Sequence, residues 1–198
     1  MIAQSIQKLS VEEYVDLEQS TQTKYEYHNG EVFALAGGTI NHSILCARIH
    51  SQLSHQLIAK KSDCETFTSE MKLNIEHSNS YVYPDAMVVC GEFKVGVQLK
   101  DAISNPVLIV EVLSKSSADY DRGDKFHKYR TINSFQEYLL IEQDKPVVEL
   151  FYRKKDTGTW QIDRFEGLER SFLLQSLSIE IDMNALYKKI EFEKTKTT

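Results

Sequence analysis

Only 3 prolines, 8 glycines, 3 cysteines and a single tryptophan occur in the 198 residues. So little proline and glycine excludes collagen-like and proline-rich repeat architectures. The cysteines, Cys46, Cys64 and Cys90, are odd in number and widely spaced. They form no CxxC pair, which speaks against a zinc knuckle or a redox motif. Each reads as a small buried apolar residue. No run approaches the roughly 18 apolar residues needed to cross a bilayer. The opening segment, MIAQSIQKLSVEEY, lacks the basic and apolar regions of a secretory signal. The expected location is the cytoplasm, with no membrane association. Cationic residues are also in deficit: 23 Lys and Arg face 29 Asp and Glu, a net charge of −6. A bulk-basic nucleic-acid binder looks different, so any phosphate contact must come from a local patch or through metal ions.

What is present fits a folded chain. Hydrophobic residues make up 41% and charged residues 26%, ordinary proportions for a soluble domain. The length suits one domain over residues 1–198 with a core that needs no staples. Ser10 and Glu13 form a capping box ahead of a short helix over 11–18. Tyr25-Glu26-Tyr27 and Glu31-Val32-Phe33-Ala34 flank Asn29-Gly30, a hairpin signal because both turn residues tolerate positive φ. Thr39 or Asn41 caps a helix running to about residue 60, with Ile44, Leu45, Ile49, Leu53 and Leu57 at helical spacing. Period-two alternation predicts a half-buried strand over 66–76. Residues 81–90 and 107–113 read as strands, their apolar runs buried on both faces. The long connection 91–106 between them is of a kind that often covers functional sites. Ser116 or Ser117 then starts a helix to about residue 132. Further strands are expected at 137–141, 147–152, 160–165 and 177–181, a short helix over 183–190, and a charged tail from 191 that frays. The order of elements implies a mixed α/β or α+β fold around a central sheet.

Two residues break the apolar pattern. Asp85 stands in Tyr-Pro-Asp-Ala-Met-Val-Val and Glu111 in Leu-Ile-Val-Glu-Val-Leu-Ser. A carboxylate in a valine-rich strand costs several kcal/mol unless a cation or hydrogen bonds offset it. One such acid is simply explained by an arginine partner or a capped backbone turn. Two on successive strands point to neighbouring strands whose carboxylates converge on a hard divalent ion, Mg²⁺ or Mn²⁺. On the helix that follows, Asp121, Lys125 and Tyr129 share a face at i, i+4 and i+8. There Lys125 either stabilises charge on a phosphate or merely pairs with Asp121 on a solvated surface.

Tyr-Pro-Asp, Val-Glu-Val-Leu-Ser and Asp-Arg-Gly-Asp-Lys-Phe-His-Lys-Tyr, in that order, resemble a large bacterial family of restriction-endonuclease-like proteins. That family was long catalogued as a domain of unknown function and belongs to the PD-(D/E)XK nuclease superfamily. The resemblance includes Tyr-Glu-Tyr-His-Asn-Gly-Glu-Val and Gly-Gly-Thr-Ile-Asn-His-Ser upstream and Ser-Phe-Gln-Glu-Tyr-Leu-Leu-Ile downstream. It covers about residues 10–150, leaving a β-rich extension over about 147–190. It implies a restriction-endonuclease-like mixed sheet flanked by helices and metal-dependent hydrolysis of DNA phosphodiesters. It maps the metal-holding acids to Asp85 and Glu111, a catalytic lysine to Lys125, an upstream glutamate to Glu26, and accessory positions to His42 and Tyr129. The superfamily usually carries its lysine two residues after the second acid, where this chain has Leu113. A nuclease that cuts both strands is often a homodimer, which sets the expected assembly.

Two other readings compete. A non-catalytic domain that keeps the fold and binds nucleic acid or protein fits Leu113 and the net charge. A glycosidase using Asp85 and Glu111 as an acid and base finds no other support, since the single tryptophan, Trp160, gives little aromatic surface for a sugar.

Overall fold

The computed structural model describes residues 8–35, 37–114 and 117–192. Helix α1 (Val11–Thr21) starts at the expected capping box: the Ser10 hydroxyl accepts from Glu13 N, and the Glu13 carboxylate accepts from Ser10 N. Strands β1 (Tyr25–His28) and β2 (Glu31–Ala34) form the hairpin, with Asn29 at φ 49° and Gly30 at φ 101°. Helix α2 (Ile40–Ala59) is capped by Thr39 and buries Leu45, Ile49, Leu53 and Leu57. Each contributes roughly 1.5–3 kcal/mol by its burial.

The stretch expected as one strand over 66–76 is two strands in different sheets. Strand β3 (Cys64–Thr68) joins the central sheet and β4 (Lys72–Ile75) the second. A turn closed by Met71 N on Thr68 O separates them. The alternation runs through that turn unbroken, so periodicity could not reveal it. Nor is β4 half-buried: Lys72 and Asn74 lie inside. The Lys72 ammonium meets Glu18 at 2.8 Å and lies over the Tyr14 ring. Residues 81–90 likewise split into β5 (Ser80–Val82) and β6 (Ala86–Cys90), again in different sheets. Pro84 breaks the ladder between them, as a proline without an N–H must. The connection after β6 contains the two-residue strand β7 (Ala102–Ile103). Strand β8 (Leu108–Leu113) follows.

The expected helix is one continuous helical run that ends at Tyr129, short of residue 132: α3 (Ala118–Tyr120), a π-helical turn (Asp121–Lys125) and α4 (Phe126–Tyr129). Ser116 lies outside the described residues. Ser117 makes no side-chain cap, and its N–H instead donates to the Ser114 hydroxyl. Strands β9 (Glu137–Glu142), β10 (Val147–Arg153), β11 (Trp160–Glu166), β12 (Ser171–Leu174) and β13 (Ile179–Asp182) precede α5 (Met183–Leu186). Helix α5 is capped by Asp182 as expected but stops well short of residue 190. The charged tail lies largely outside the described residues.

The central sheet is mixed, in the order β11-β10-β9-β8-β6-β3, with β8 and β9 parallel and its other pairs antiparallel. The β10–β11 hairpin extends this sheet. A second sheet runs β2-β1-β5-β4-β7, and β12 and β13 form a ribbon. Alternate residues of β8 feed two cores. Leu108, Val110 and Val112 pack with α2, the β12–β13 ribbon and α5. Ile109 and Leu113 pack with α4 and with Leu73, Ile75, Val82 and Ile103 of the second sheet. Among the described residues no helix is long and apolar enough to cross a membrane.

The cysteine reading is corrected. Cys64 and Cys90 are directly opposed on β3 and β6 and form a disulfide, with Cα atoms 3.8 Å apart. Cys46 is free and partly buried. Strand pairing that sequence spacing could not show brings the first two together.

Candidate active site

Strands β6 and β8 are antiparallel neighbours with Ala86 opposite Val110. That register puts Asp85, one residue before β6, beside Glu111. Asp85 Oδ2 accepts from Val112 N at 2.7 Å, which ties the carboxylate to the adjacent strand. Both acids line one open cavity of about 700 Å³, together with Glu26, His42, Asp121 and Lys125. The bland reading of each acid is thus half right. Asp85 does receive a backbone N–H, but the partner of Glu111 is a lysine rather than an arginine.

The helical segment after β8 crosses the face of that strand which carries Ile109, Glu111 and Leu113. Lys125 Nζ reaches Glu111 Oε1 at 3.0 Å, Asp121 Oδ1 at 3.2 Å and Glu26 Oε1 at 3.3 Å. Lys125 and Asp121 are 8% and 2% exposed, so the solvated-surface reading of this pair fails. The Tyr129 hydroxyl donates to Glu111 Oε1 at 2.7 Å. Leu113, two residues after Glu111, is a buried core residue. The ammonium arrives instead from the helix covering the same face. The π-helical turn carries both Asp121 and Lys125, and such turns are frequent at functional sites.

Titration follows from this crowding. Burial alone would lower the Lys125 ammonium, but Glu111, Glu26 and Asp121 hold it well above the ordinary lysine value. Burial pushes the Glu111 carboxyl up to about 8, more than Lys125 pulls it down, with Asp85 adding to the rise. For Glu111, lost hydration outweighs one neighbouring ammonium. For Glu26, burial is outweighed by the His28 hydrogen bond and the Lys125 charge, which hold it below the usual range. Burial lifts the Tyr129 phenol well above its ordinary value, with Glu111 adding to the effect.

His42, in the first turns of α2, places Nε2 3.3 Å from Asp85 Oδ2. That bond raises its pKa. Every candidate read from the sequence (Asp85, Glu111, Lys125, Glu26, His42 and Tyr129) therefore meets at this place. Two other cations of the same helical segment, Arg122 and Lys128, are engaged elsewhere. Arg122 turns away to Glu142 at 2.6 Å and Glu149 at 2.8 Å. Lys128 approaches His28 Nδ1 at 3.1 Å and the Tyr120 hydroxyl at 3.2 Å. His28 Nε2 in turn takes the Tyr120 hydroxyl at 2.9 Å and lies 3.3 Å from Glu26.

Sequence reasoning missed Asp121 as a member of the cluster, and missed Cys46, Gln143 and His28. Asp121 was visible only as a helical neighbour of Lys125. Cys46 stands four residues after His42, one helical turn along the same face, a spacing that could have flagged it. Gln143 joins through a bond with the Thr39 hydroxyl, a contact made entirely by tertiary packing.

The donor set suits a divalent cation. Glu26, Glu111 and Asp121 surround the Lys125 ammonium, and Asp85, paired with His42, lines the same open cavity. Glu26 Oε1 and Asp121 Oδ1 are buried without a hydrogen-bond partner, although both lie close to Lys125. A bound metal ion would offset the negative charge gathered here. Asp85 and Glu111 offer the hard oxygens that Mg²⁺ and Mn²⁺ prefer.

Comparison with known proteins gives the family and the fold. The family described as "Uma2: Putative restriction endonuclease" matches residues 11–185. "Uncharacterized protein slr1290" of Synechocystis sp. is 34% identical over 186 residues, covering 93% of this chain and 94% of that protein. "Uncharacterized protein sll1609" of the same organism is 38% identical over 179 residues, covering 87% and 98%. The crystal structure of "a putative nuclease belonging to DUF820" from Anabaena variabilis superposes with a TM-score of 0.71 at 15% identity. It covers 92% of this chain and 99% of its own. This chain therefore has a nuclease-like fold.

Proposed function

The chain belongs to the Uma2 family, and from that membership and the site's chemistry we propose that it is a metal-dependent endonuclease hydrolysing DNA phosphodiester bonds. The observation that carries the reading is the convergence of Asp85 and Glu111, from adjacent strands, on one open cavity beside Lys125. A phosphate approaching these acids needs positive charge beside them, which a bound metal ion would supply.

Asp85 and Glu111 would hold Mg²⁺ or Mn²⁺, which when bound polarises a phosphoryl oxygen and lowers the pKa of a water. The chain's own groups do the rest. Val112 N and His42 fix the orientation of Asp85. Tyr129 fixes that of Glu111. Lys125 supplies a positive charge at the cavity wall, able to offset charge that develops on the phosphoryl group. Glu26 and Asp121 hold that ammonium in place, and Glu26 links it to His28 and, through that ring, to Tyr120 and Lys128.

Residues 1–198 would act as one domain, with the nuclease-like core over about 10–150, in the cytoplasm. As a cutter of both strands, the protein would work as a homodimer with paired sites. Incubation of the purified protein with plasmid DNA and Mg²⁺ or Mn²⁺, beside Asp85→Ala, tests the activity. Cleavage that requires the ion and vanishes in the variant is the expected result. Leu113 at the usual lysine position favours the second reading, a non-catalytic domain that keeps the fold and binds nucleic acid or protein. Calorimetry that finds no uptake of either ion by the wild-type chain would move the conclusion there.

A further inference from the structure

One corner of the cavity has a different chemistry from the rest. His42 and Cys46 are one turn apart on α2 and share a face of the helix. Cys46 Sγ lies 3.5 Å from His42 Nδ1, and His42 Nε2 lies 3.3 Å from Asp85 Oδ2. One ligand atom each from His42, Cys46 and Asp85 falls within 4.8 Å of the other two. All three side chains are partly buried, none sealed from the cavity.

A thiol and an imidazole are poor ligands for Mg²⁺, which prefers oxygen and keeps several of its waters. They are good ligands for zinc, and three protein ligands with an open fourth position is a common zinc arrangement. The geometry points to a second metal site: His42, Cys46 and Asp85 bind a soft divalent transition ion, Zn²⁺ fitting best, and thereby draw Asp85 away from the hard-metal position it would share with Glu111. The ion takes one nitrogen of His42, since Nδ1 and Nε2 now face different partners. Burial and the charge of Asp85 keep the Cys46 thiol protonated. Coordination replaces that proton with the metal, and the proton passes to the buffer.

The binding claim stands independently of the nuclease reading. The consequence, that zinc inhibits by competing for Asp85, rests on it. Cobalt reports the binding claim directly, because a thiolate ligand gives Co²⁺ an intense near-ultraviolet charge-transfer band. The titration is run on the full chain without reductant, so that the Cys64–Cys90 disulfide leaves Cys46 as the free thiol. The expected result is one Co²⁺ per chain with a thiolate band, displaced by Zn²⁺. Cys46→Ser should remove the band and weaken Zn²⁺ binding by more than about a hundredfold, since loss of a direct ligand exceeds the 10–100-fold cost of losing its supporting partner. Alkylating the wild-type thiol should do the same, which keeps the test valid if the serine variant folds poorly. No thiolate band, or a band that survives both treatments, overturns the site.

The competition is read separately. Zn²⁺ should suppress Mg²⁺-supported plasmid cleavage by the wild type at concentrations that leave Cys46→Ser active. Equal inhibition of the two would overturn the competition while leaving the cobalt result to judge the site. Absence of cleavage by the wild type in any metal would sink the nuclease reading and, with it, the inhibition.

Discussion

Replacing Lys125 with methionine removes the ammonium but keeps most of the side-chain volume. The nitrogen stands 3.0 Å from Glu111, 3.2 Å from Asp121 and 3.3 Å from Glu26. At an effective dielectric constant of about 20, an ionised contact at this range carries roughly 5 kcal/mol of gross attraction, or about 10 kcal/mol for Glu26 and Asp121 together, while Glu111, raised to about 8, is largely protonated at pH 7. Removing the ammonium and its carboxylate partners from water costs several kcal/mol per ion, which cancels most of that gain. The expected net loss at pH 7 is about 3–5 kcal/mol, the usual cost of leaving buried charge without its partner. Acid should shrink it. Without the ammonium, Glu26 loses part of what holds it below the usual range against burial, so the folded variant takes up a proton there at a higher pH than the wild type does and gains stability relative to it as pH falls. Lys125 in the wild type, raised above the ordinary lysine value, contributes stability that is fully present below the unfolded lysine pKa and is lost only in strong base. Urea unfolding of both proteins at pH 5 and pH 7 measures the difference. Mg²⁺ should narrow it, because the ion supplies the missing positive charge to the same carboxylates and binds only the folded state. Cleavage should fall about 100–1000-fold, the range seen when one preorganised electrostatic group is removed. A stability loss under about 1 kcal/mol at pH 7, typical of an ordinary surface change, or a loss that grows toward pH 5, would refute the account of the buried cluster.

Asp85→Ala should abolish metal-supported cleavage. It should also lower stability by about 1–3 kcal/mol in thermal or urea unfolding, because Val112 N loses its buried acceptor. Relief of repulsion with Glu111 opposes this, and an unchanged or raised stability would mean that the repulsion dominates. Metal uptake should strengthen with pH up to about 8, the value to which Glu111 is raised, since below it the ion must expel a proton. One proton per ion corresponds to about tenfold in affinity per pH unit. Calorimetry in buffers of different ionisation enthalpy counts that proton, and a pH-independent affinity would contradict it. Tyr129→Phe should cost about 1.5–3 kcal/mol by removing a hydroxyl hydrogen bond to a carboxylate, read by urea unfolding. Reducing the Cys64–Cys90 bridge, which spans 26 residues, should lower stability by about 3.5 kcal/mol on chain-entropy grounds. Unfolding curves with and without dithiothreitol decide that.

Local chemistry alone determined several features of this protein. The Ser10–Glu13 capping box, the Asn29-Gly30 turn, the Thr39 cap and the four-residue spacing of Leu45, Ile49, Leu53 and Leu57 are short-range signals, satisfied by neighbours in the chain. The two acids in apolar strands were legible for a related reason: a carboxylate among valines demands a partner, whatever the fold. Tertiary structure decided what that partner is. Residues 66–76 alternate without interruption, yet the chain changes sheets at 69–71, because alternation reports which side is buried and not which strand lies alongside. Pro84 was a readable sign of the second such change. The Cys64–Cys90 bridge depends on the β3–β6 register, and the joining of Gln143 and Cys46 to the cavity depends on where α2 lands. Leu113 shows the division most clearly. In the sequence it stands where the resemblance leads one to expect a lysine. In the fold it is a core residue on the same face of β8 as Glu111, and the helix that covers this face delivers Lys125 to the acid. Sequence distance measures connection along the chain, whereas an ammonium finds its carboxylate through space.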